Sequence, residues 1–177
     1  KDMQKRWVLK PKNNSNKVVK LQSALGVDDI VANLLVSRSI ETFEDAQYFF
    51  RPKLENLYDP FLMKDMHIAI QRIDQALLNK EKILIYGDYD VDGTTAVALV
   101  FSFFSRNLQA KVDYYIPDRY VEGYGISTQG IDYAVENGIS LVIALDCGIK
   151  SNEIIDYANS KGIDFIIGDH HLPGPEL

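Results

Sequence analysis

The 177-residue chain has a single cysteine, Cys147, so no disulfide can close within it and no zinc site built from several thiolates is available. Any metal must be held by oxygen and imidazole, and a reducing compartment suits such a composition. Long hydrophobic runs are also missing: apolar stretches such as Ala96 to Phe101 are far too short to cross a bilayer. The first residues are basic and polar, with no apolar signal core. The expectation is a cytoplasmic protein with no membrane partner. Basic charge is scarce outside one short segment. Residues 1–20 carry seven Lys/Arg against one Asp, so the net −6 of the chain leaves −12 for everything after them. An acidic body argues against a plain phosphate-binding surface, which needs clustered Lys and Arg. The basic residues Lys5, Arg6, Lys10, Lys12, Lys17 and Lys20 read first as a solvated, frayed terminus, with a nucleic-acid-contacting arm as the alternative.

What the chain does contain is enough apolar material, 46% of residues, for one α/β core with a small appendage. Residues 21–80 read as helical. Ile30, Val31, Leu34 and Leu35 share a face, and Thr42-Phe-Glu-Asp45 resembles a capping box opening a short helix that ends at Phe50, before Arg51-Pro52. Met66, Ala69, Ile70, Ile73, Ala76 and Leu77 recur at helical spacing, predicting an amphipathic helix over 64–78. A helical extension over 1–80 followed by a second domain over 81–177 is expected.

From Lys82 the pattern changes to short β-rich runs, Ile83 to Tyr86, Val112 to Ile116, Leu141 to Leu145 and Phe165 to Ile167, separated by helical stretches. Runs apolar on both faces, with starts about 25 residues apart, suit a helix-covered parallel sheet. The fold class expected is α/β, a doubly wound, mainly parallel sheet flanked by helices. The helix over 94–107 is apolar nearly all round and is expected to be buried on two sides.

Each predicted strand is followed at once by polar residues: Asp88, Asp90 and Asp92 after the first, Asp118 and Arg119 after the second, Asp146 after the third, Asp169-His170-His171 after the fourth. In a parallel sheet all these ends lie on one edge, where open α/β sheets bind ligands. Carboxylates gathered without counter-charge repel, and bound cations relieve this. Asp oxygens with imidazole suit Mn²⁺ or Mg²⁺, with His favouring Mn²⁺. A pair of ions about 3.5–4 Å apart would serve phosphoester hydrolysis. One Asp of the first cluster could simply cap the next helix, but three at alternate positions between Gly87 and Gly93 exceed that need. His170 and His171 are adjacent, so in extended chain they point oppositely and one of them is expected to bind metal. Cys147 reads as packing beside a strand end rather than as a nucleophile, and His67, within a predicted helix, is given no role.

At these positions a family resemblance emerges. Gly87-Asp-Tyr-Asp-Val-Asp-Gly-Thr-Thr95 and Gly168-Asp-His-His-Leu-Pro-Gly174 resemble the first and third motifs of the DHH phosphoesterases. Ile116-Pro-Asp-Arg-Tyr-Val-Glu-Gly-Tyr-Gly-Ile-Ser127, Leu145-Asp-Cys-Gly148 and Arg51-Pro-Lys-Leu-Glu-Asn-Leu-Tyr-Asp-Pro-Phe61 resemble its RecJ-type branch. The resemblance implies a metal-dependent 5′-to-3′ exonuclease on single-stranded DNA, working in repair and recombination, with helicase or single-strand-binding proteins as partners. It implies that Asp90 and Asp92 divide between two metal positions, that Asp146 bridges them, that His170 completes the second, and that Asp88 lies near the first. His171 would face the phosphate, with Asp169 supporting these groups. A further Asp from a later motif and a clamping domain would lie past Leu177, so these 177 residues alone are expected to fold but to cleave little.

The loop from Asp118 to Gly125 holds Arg119, Tyr120 and Tyr124 among glycines, a mixture able to bind phosphate and stack on bases, or simply a flexible loop with exposed tyrosines. Two other functions fit the same residues: a DHH phosphoesterase for short oligonucleotides, cyclic dinucleotides or pyrophosphate, and a non-catalytic DNA-binding scaffold. The helical segment upstream speaks against the first, and the intact set of acidic and histidine residues against the second.

Overall fold

The computed structural model describes residues 6–175. Lys5 of the basic tail and Leu177 at the end of the expected second domain lie outside the described residues. The chain forms two compact units that divide between Pro60 and Phe61, ahead of the expected division at 80/81. The helix that follows Pro60 explains the difference, because its apolar stripe packs on the sheet.

The described residues of the first unit form the α-helices α1 (Ser15–Leu25), α2 (Asp29–Val36) and α3 (Phe43–Phe50), followed by a short 3-10 turn at Leu54–Asn56. Thr42 and Asp45 form the expected capping box at the start of α3. The small core is Leu21, Leu35, Val36, Ile40 and Ala46, with Val18 and Leu25 against it. The buried stripe of α2 is therefore Ala32, Leu35 and Val36, whereas Ile30 and Leu34, expected on the inner face, are 67% and 51% exposed. The i, i+3, i+4 stripe through Ala32 presents a small residue, allowing close packing. Lys17 and Lys20, expected in a frayed terminus, lie within α1, and Lys17 pairs with Glu41 at 2.5 Å.

In the second unit α4 (Met66–Leu78) leads into β1 (Lys82–Gly87), α5 (Val91–Arg106), β2 (Lys111–Tyr115), α6 (Thr128–Glu136), β3 (Ile139–Leu145), α7 (Asn152–Ser160) and β4 (Asp164–Gly168). The strands pair in parallel in the order β2-β1-β3-β4. Alternation along each strand divides the core. Ile83, Ile85, Leu141 and Ile143 face α4 and α5, packing with Ala76, Val97 and Phe104. Leu84, Tyr86, Val142 and Ala144 face α6 and α7, packing with Ile131, Ala134 and Ala158. This two-sided covering is why the strands read as continuously apolar. The sheet and its flanking helices are the doubly wound α/β fold expected. The chain steps from β1 out to β2 and then back across to β3, which puts the point of reversal beside β1, where such sheets open a crevice at their carboxyl ends.

One expectation about α5 fails. Its inner side, with Val97 and Phe104, is buried, but Leu99 is 71% and Phe103 51% exposed. A single sheet face can cover only one side of a helix, and among the described residues no second layer lies over the other. Arg72 of α4 ties the amino edge of the sheet together, reaching Glu81 at 2.7 Å and Asp164 at 2.6 Å. No helix among the described residues is long and apolar enough to cross a membrane.

The start of α5 lies unusually close to the end of β1. A Cβ placed on Gly93 would stand 2.5 Å from the Asp88 carbonyl oxygen and 2.6 Å from its amide nitrogen, and one on Gly87 would stand 2.4 Å from Val97 and 2.8 Å from the Gly93 carbonyl oxygen. Backbone meets backbone here, so no side-chain rotation can make room. Gly→Ala inside a helix ordinarily stabilises by up to about 1 kcal/mol. Gly93→Ala is expected to do the opposite, destabilising by about 1–3 kcal/mol through overpacking. Urea unfolding followed by circular dichroism measures the sign, and an unchanged or raised midpoint would refute the close-approach argument.

Candidate metal centre

The crevice is built by four strand ends. Asp88 follows β1 directly, and the Gly87–Gly93 contact sinks it: it is 0% exposed, and no hydrogen bond of normal geometry reaches either carboxylate oxygen. Burial drives its carboxyl above the ordinary Asp range, the charges of Asp90 and Asp146 push the same way, and the Tyr89 and Gly125 amides oppose them only in part. A buried carboxylate without donors is costly. Asp90 is the N-cap of α5, accepting from the Gly93 amide at 3.0 Å through one oxygen. The capping reading of this cluster is thus met by Asp90 alone. Asp92 lies exposed in the first turn of α5.

Asp146 follows β3 with φ +60°, the left-handed region that non-glycine residues seldom enter, and its amide bonds the Gly168 carbonyl at 2.9 Å. The neighbouring strand thus braces the strained residue. Its side chain is 9% exposed, with Oδ1 3.0 Å from His170 Nε2. Atoms of Asp146, His170 and His171 that could hold a metal all lie within 4.8 Å of one another.

The two histidines do not diverge as an extended chain would make them. Their rings are 4.9 Å apart. The strand ends at Gly168, and Asp169 turns the chain: its Oδ1 accepts from the His171 amide at 3.0 Å and lies 2.7 Å from His171 Nδ1, while Oδ2 accepts from the Ile149 amide at 3.0 Å. Burial raises the Asp169 carboxyl, yet these bonds outweigh it and hold the group below the ordinary range. The hydrogen bond to Asp169 in turn raises His171 above the usual imidazole value, with Asp169, Asp146 and Asp90 charges adding to it.

The loop after β2 supplies the remaining wall. Tyr124 Oη lies 3.2 Å from His171 Nε2, and its hydroxyl is pushed up to about 12 by burial and by the charges of Asp88, Asp146, Asp90 and Asp169. Arg119 lies over the ring of Tyr89, 5.2 Å from its centre, and Tyr124 meets that ring edge-on at 6.0 Å. Tyr89 is not among the residues expected at this site. The only available signal was an aromatic residue between two candidate Asp ligands. Tyr120 stands apart, 94% exposed. Cys147 is packed in the core at 1% exposure, with its thiol pushed up to about 12 by burial and the surrounding carboxylates, so it is neutral and no nucleophile. His67 packs its ring against Phe61, with centres 4.6 Å apart.

This donor set fits a divalent cation that takes oxygen and imidazole, as Mn²⁺ does and Mg²⁺ does with more oxygen. The Asp88 oxygens are the sharpest sign, since a cation would satisfy what the Tyr89 and Gly125 amides, without a hydrogen bond of normal geometry, leave unmet.

Residues 82–177 match the sequence profile described as "DHH family, N-terminal domain". The chain is 44% identical over 172 residues to the single-stranded-DNA-specific exonuclease RecJ of Bacillus subtilis, covering 97% of this chain and 22% of that protein. To the Escherichia coli protein of the same name it is 36% identical over 109 residues, or 62% of this chain and 19% of that one. It spans about a fifth of the length of these curated relatives. Among solved structures it is similar to an exonuclease RecJ bound to manganese, at 32% identity and a TM-score of 0.58 over 63% of this chain and 29% of that one. RecJ from Thermus thermophilus in complex with Mn²⁺ shares the fold, with a TM-score of 0.65 over 93% of this chain and 22% of that one, at 24% identity. With more than half of its length matched to that profile, the chain belongs to the DHH family.

Proposed function

We propose that this chain supplies the metal-binding part of a divalent-metal-dependent exonuclease that degrades single-stranded DNA from the 5′ end. The observation that carries the reading is the meeting of Asp88, Asp90, Asp146 and His170 at one sheet edge, with both oxygens of the buried Asp88 unpartnered. The relatives named single-stranded-DNA-specific exonucleases and the manganese-bound neighbour support it. Asp88, Asp90, Asp92, Asp146 and His170 would hold Mn²⁺ or Mg²⁺, with Asp92 included by family resemblance. A pair of such ions supplies an acidified water and charge stabilisation at a phosphodiester. The chain's own residues do the rest. Asp169 fixes the His171 ring by its short contact to Nδ1, leaving Nε2 toward the crevice, where Tyr124 meets it. His171 would then face the phosphate, as would Arg119, whose planar guanidinium suits phosphate oxygens. Tyr124 and the exposed Tyr120 would offer ring faces to unstacked bases. A cytoplasmic location, a place in DNA repair and recombination, and helicase or single-strand-binding partners belong to the same reading.

Two outcomes are expected. Crystals soaked in Mn²⁺ should show anomalous peaks beside Asp88, Asp90, Asp92, Asp146 and His170; strong peaks elsewhere with none beside these residues would refute the metal assignment. In the full-length protein, Asp146→Ala should lower release of label from 5′-labelled single-stranded DNA by several orders of magnitude, because ion retention and phosphate positioning fail together. Near-normal activity of that variant, or earlier release from a 3′ label, would count against the reading.

A further inference from the structure

The loop between β2 and α6 carries Arg119 and Tyr124, yet glycines in the left-handed region, Gly123 at φ +83° and Gly125 at φ +88°, give it no intrinsic stiffness. One side chain offsets this. The Glu122 carboxylate accepts at Oε1 from the Asp118 amide, 2.7 Å, at the beginning of the loop. At Oε2 it accepts from the Tyr115 hydroxyl at 2.9 Å, at the end of β2, and from the Ser127 hydroxyl, at the N-cap of α6. Both ends of the loop and the strand before it thus converge on one carboxylate. Burial pushes that carboxyl up, but the bonds from Ser127, the Asp118 amide and Tyr115 outweigh this and leave it below the ordinary Glu range, so it is ionised and acts purely as an acceptor.

The partners of Glu122 are themselves fixed. The Tyr115 ring stacks on buried Tyr86 at 5.3 Å. The Tyr86 hydroxyl accepts from the Ser127 amide at 3.0 Å and donates to the Gly125 carbonyl at 3.1 Å. Asp118 closes the turn within the loop, its Oδ1 accepting from the Tyr120 and Val121 amides at 2.8 and 3.0 Å and its carbonyl from the Glu122 amide at 2.9 Å. What Glu122 fastens is therefore a compact turn to a rigid strand end. The parts left facing the crevice are Arg119 over Tyr89 and Tyr124 against His171.

We propose that Glu122 is a positioning residue for the nucleic-acid strand: by joining Asp118, Tyr115 and Ser127 it holds Arg119 and Tyr124 at the metal edge without touching metal or substrate itself. This rests on the reading of the protein as a single-strand exonuclease. The role is separable from the metal centre: none of the three groups bound to Glu122 belongs to the Asp88, Asp90, Asp146 and His170 set, and Gly125, whose amide acts on Asp88, is held independently through its carbonyl by the Tyr86 hydroxyl. Losing the clamp should loosen strand binding and leave ion binding alone.

The test compares wild-type full-length protein with Glu122→Ala and Glu122→Gln by steady-state cleavage of 5′-labelled oligothymidylate in Mn²⁺, Mn²⁺ titration by electron paramagnetic resonance, and amide hydrogen exchange. Glu122→Ala is expected to raise KM about tenfold or more, in line with the cost of small misplacements in a prearranged site, while kcat changes less than about threefold. Its Mn²⁺ affinity should stay within about twofold, and exchange should quicken over residues 118–127 with the strand amides unchanged. Glu122→Gln keeps an acceptor for the Asp118 amide but brings N–H groups to two hydroxyl donors, so its KM should fall between the other two. An unchanged KM in Glu122→Ala, or loss of Mn²⁺ affinity and faster exchange across the sheet, would overturn the positioning role. A wild-type protein that binds Mn²⁺ but leaves oligothymidylate intact would overturn the exonuclease reading and the role with it.

Discussion

The close backbone approach of α5 to β1 at Gly93 and Gly87 is the constraint on which the acidic edge depends. It brings the first turn of a helix against the end of a strand with no side chain between. Two carboxylates are placed by that one contact: Asp88 is driven inward to zero exposure, and Asp90 is held over the helix start by the Gly93 amide. A larger residue at either glycine would move the helix, and the helix would carry Asp90 with it. Packing and site geometry are therefore one problem here, and the apolar contact of Val97 with the sheet serves both.

The second consequence is electrostatic. Burial raises Tyr124 and Cys147, and the charges of Asp88, Asp90, Asp146 and Asp169 add to both. Only some of that charge is offset by the protein. Asp169 is satisfied by two amides and a histidine, and Asp90 by a helix amide, but Asp88 has only the Tyr89 and Gly125 amides nearby, and neither makes a hydrogen bond of normal geometry. The strain at Asp146, in the left-handed region and braced on β4, belongs to the same pattern, since strained backbone persists only where surrounding structure holds it. Folding has gathered uncompensated negative charge at one end of the sheet, the arrangement a divalent cation relieves.

How much of this could be read from the residues varies with the kind of information each carries. The four strands and the polar residues closing each of them were legible, because two-sided burial leaves a run such as Ile83 to Tyr86 continuously apolar, and chain reversal at one edge demands polar residues there. The outer side of α5 was not. Leu99 and Phe103 are as apolar as Val97, and a periodicity argument has no way to learn that only one layer lies against the helix. Likewise the stripe of α2 through Ala32 was hidden by larger neighbours at Ile30 and Leu34.

The sequence by itself determined the succession along the chain of strands and the functional groups that close them, the donor chemistry of oxygen and imidazole without thiolate, and the family, since these follow from residue identity and spacing alone. Only the tertiary structure decided which of those groups meet. The turn that Asp169 makes with the His171 amide brings both histidines to one side, where an extended chain would separate them. Tyr89 under Arg119 and Tyr124 against His171 are contacts between segments that only the crossover through β2 brings together. Local sequence specifies a backbone's preferences and a side chain's chemistry, but a distance between two side chains on different strands exists only once the sheet has closed between them.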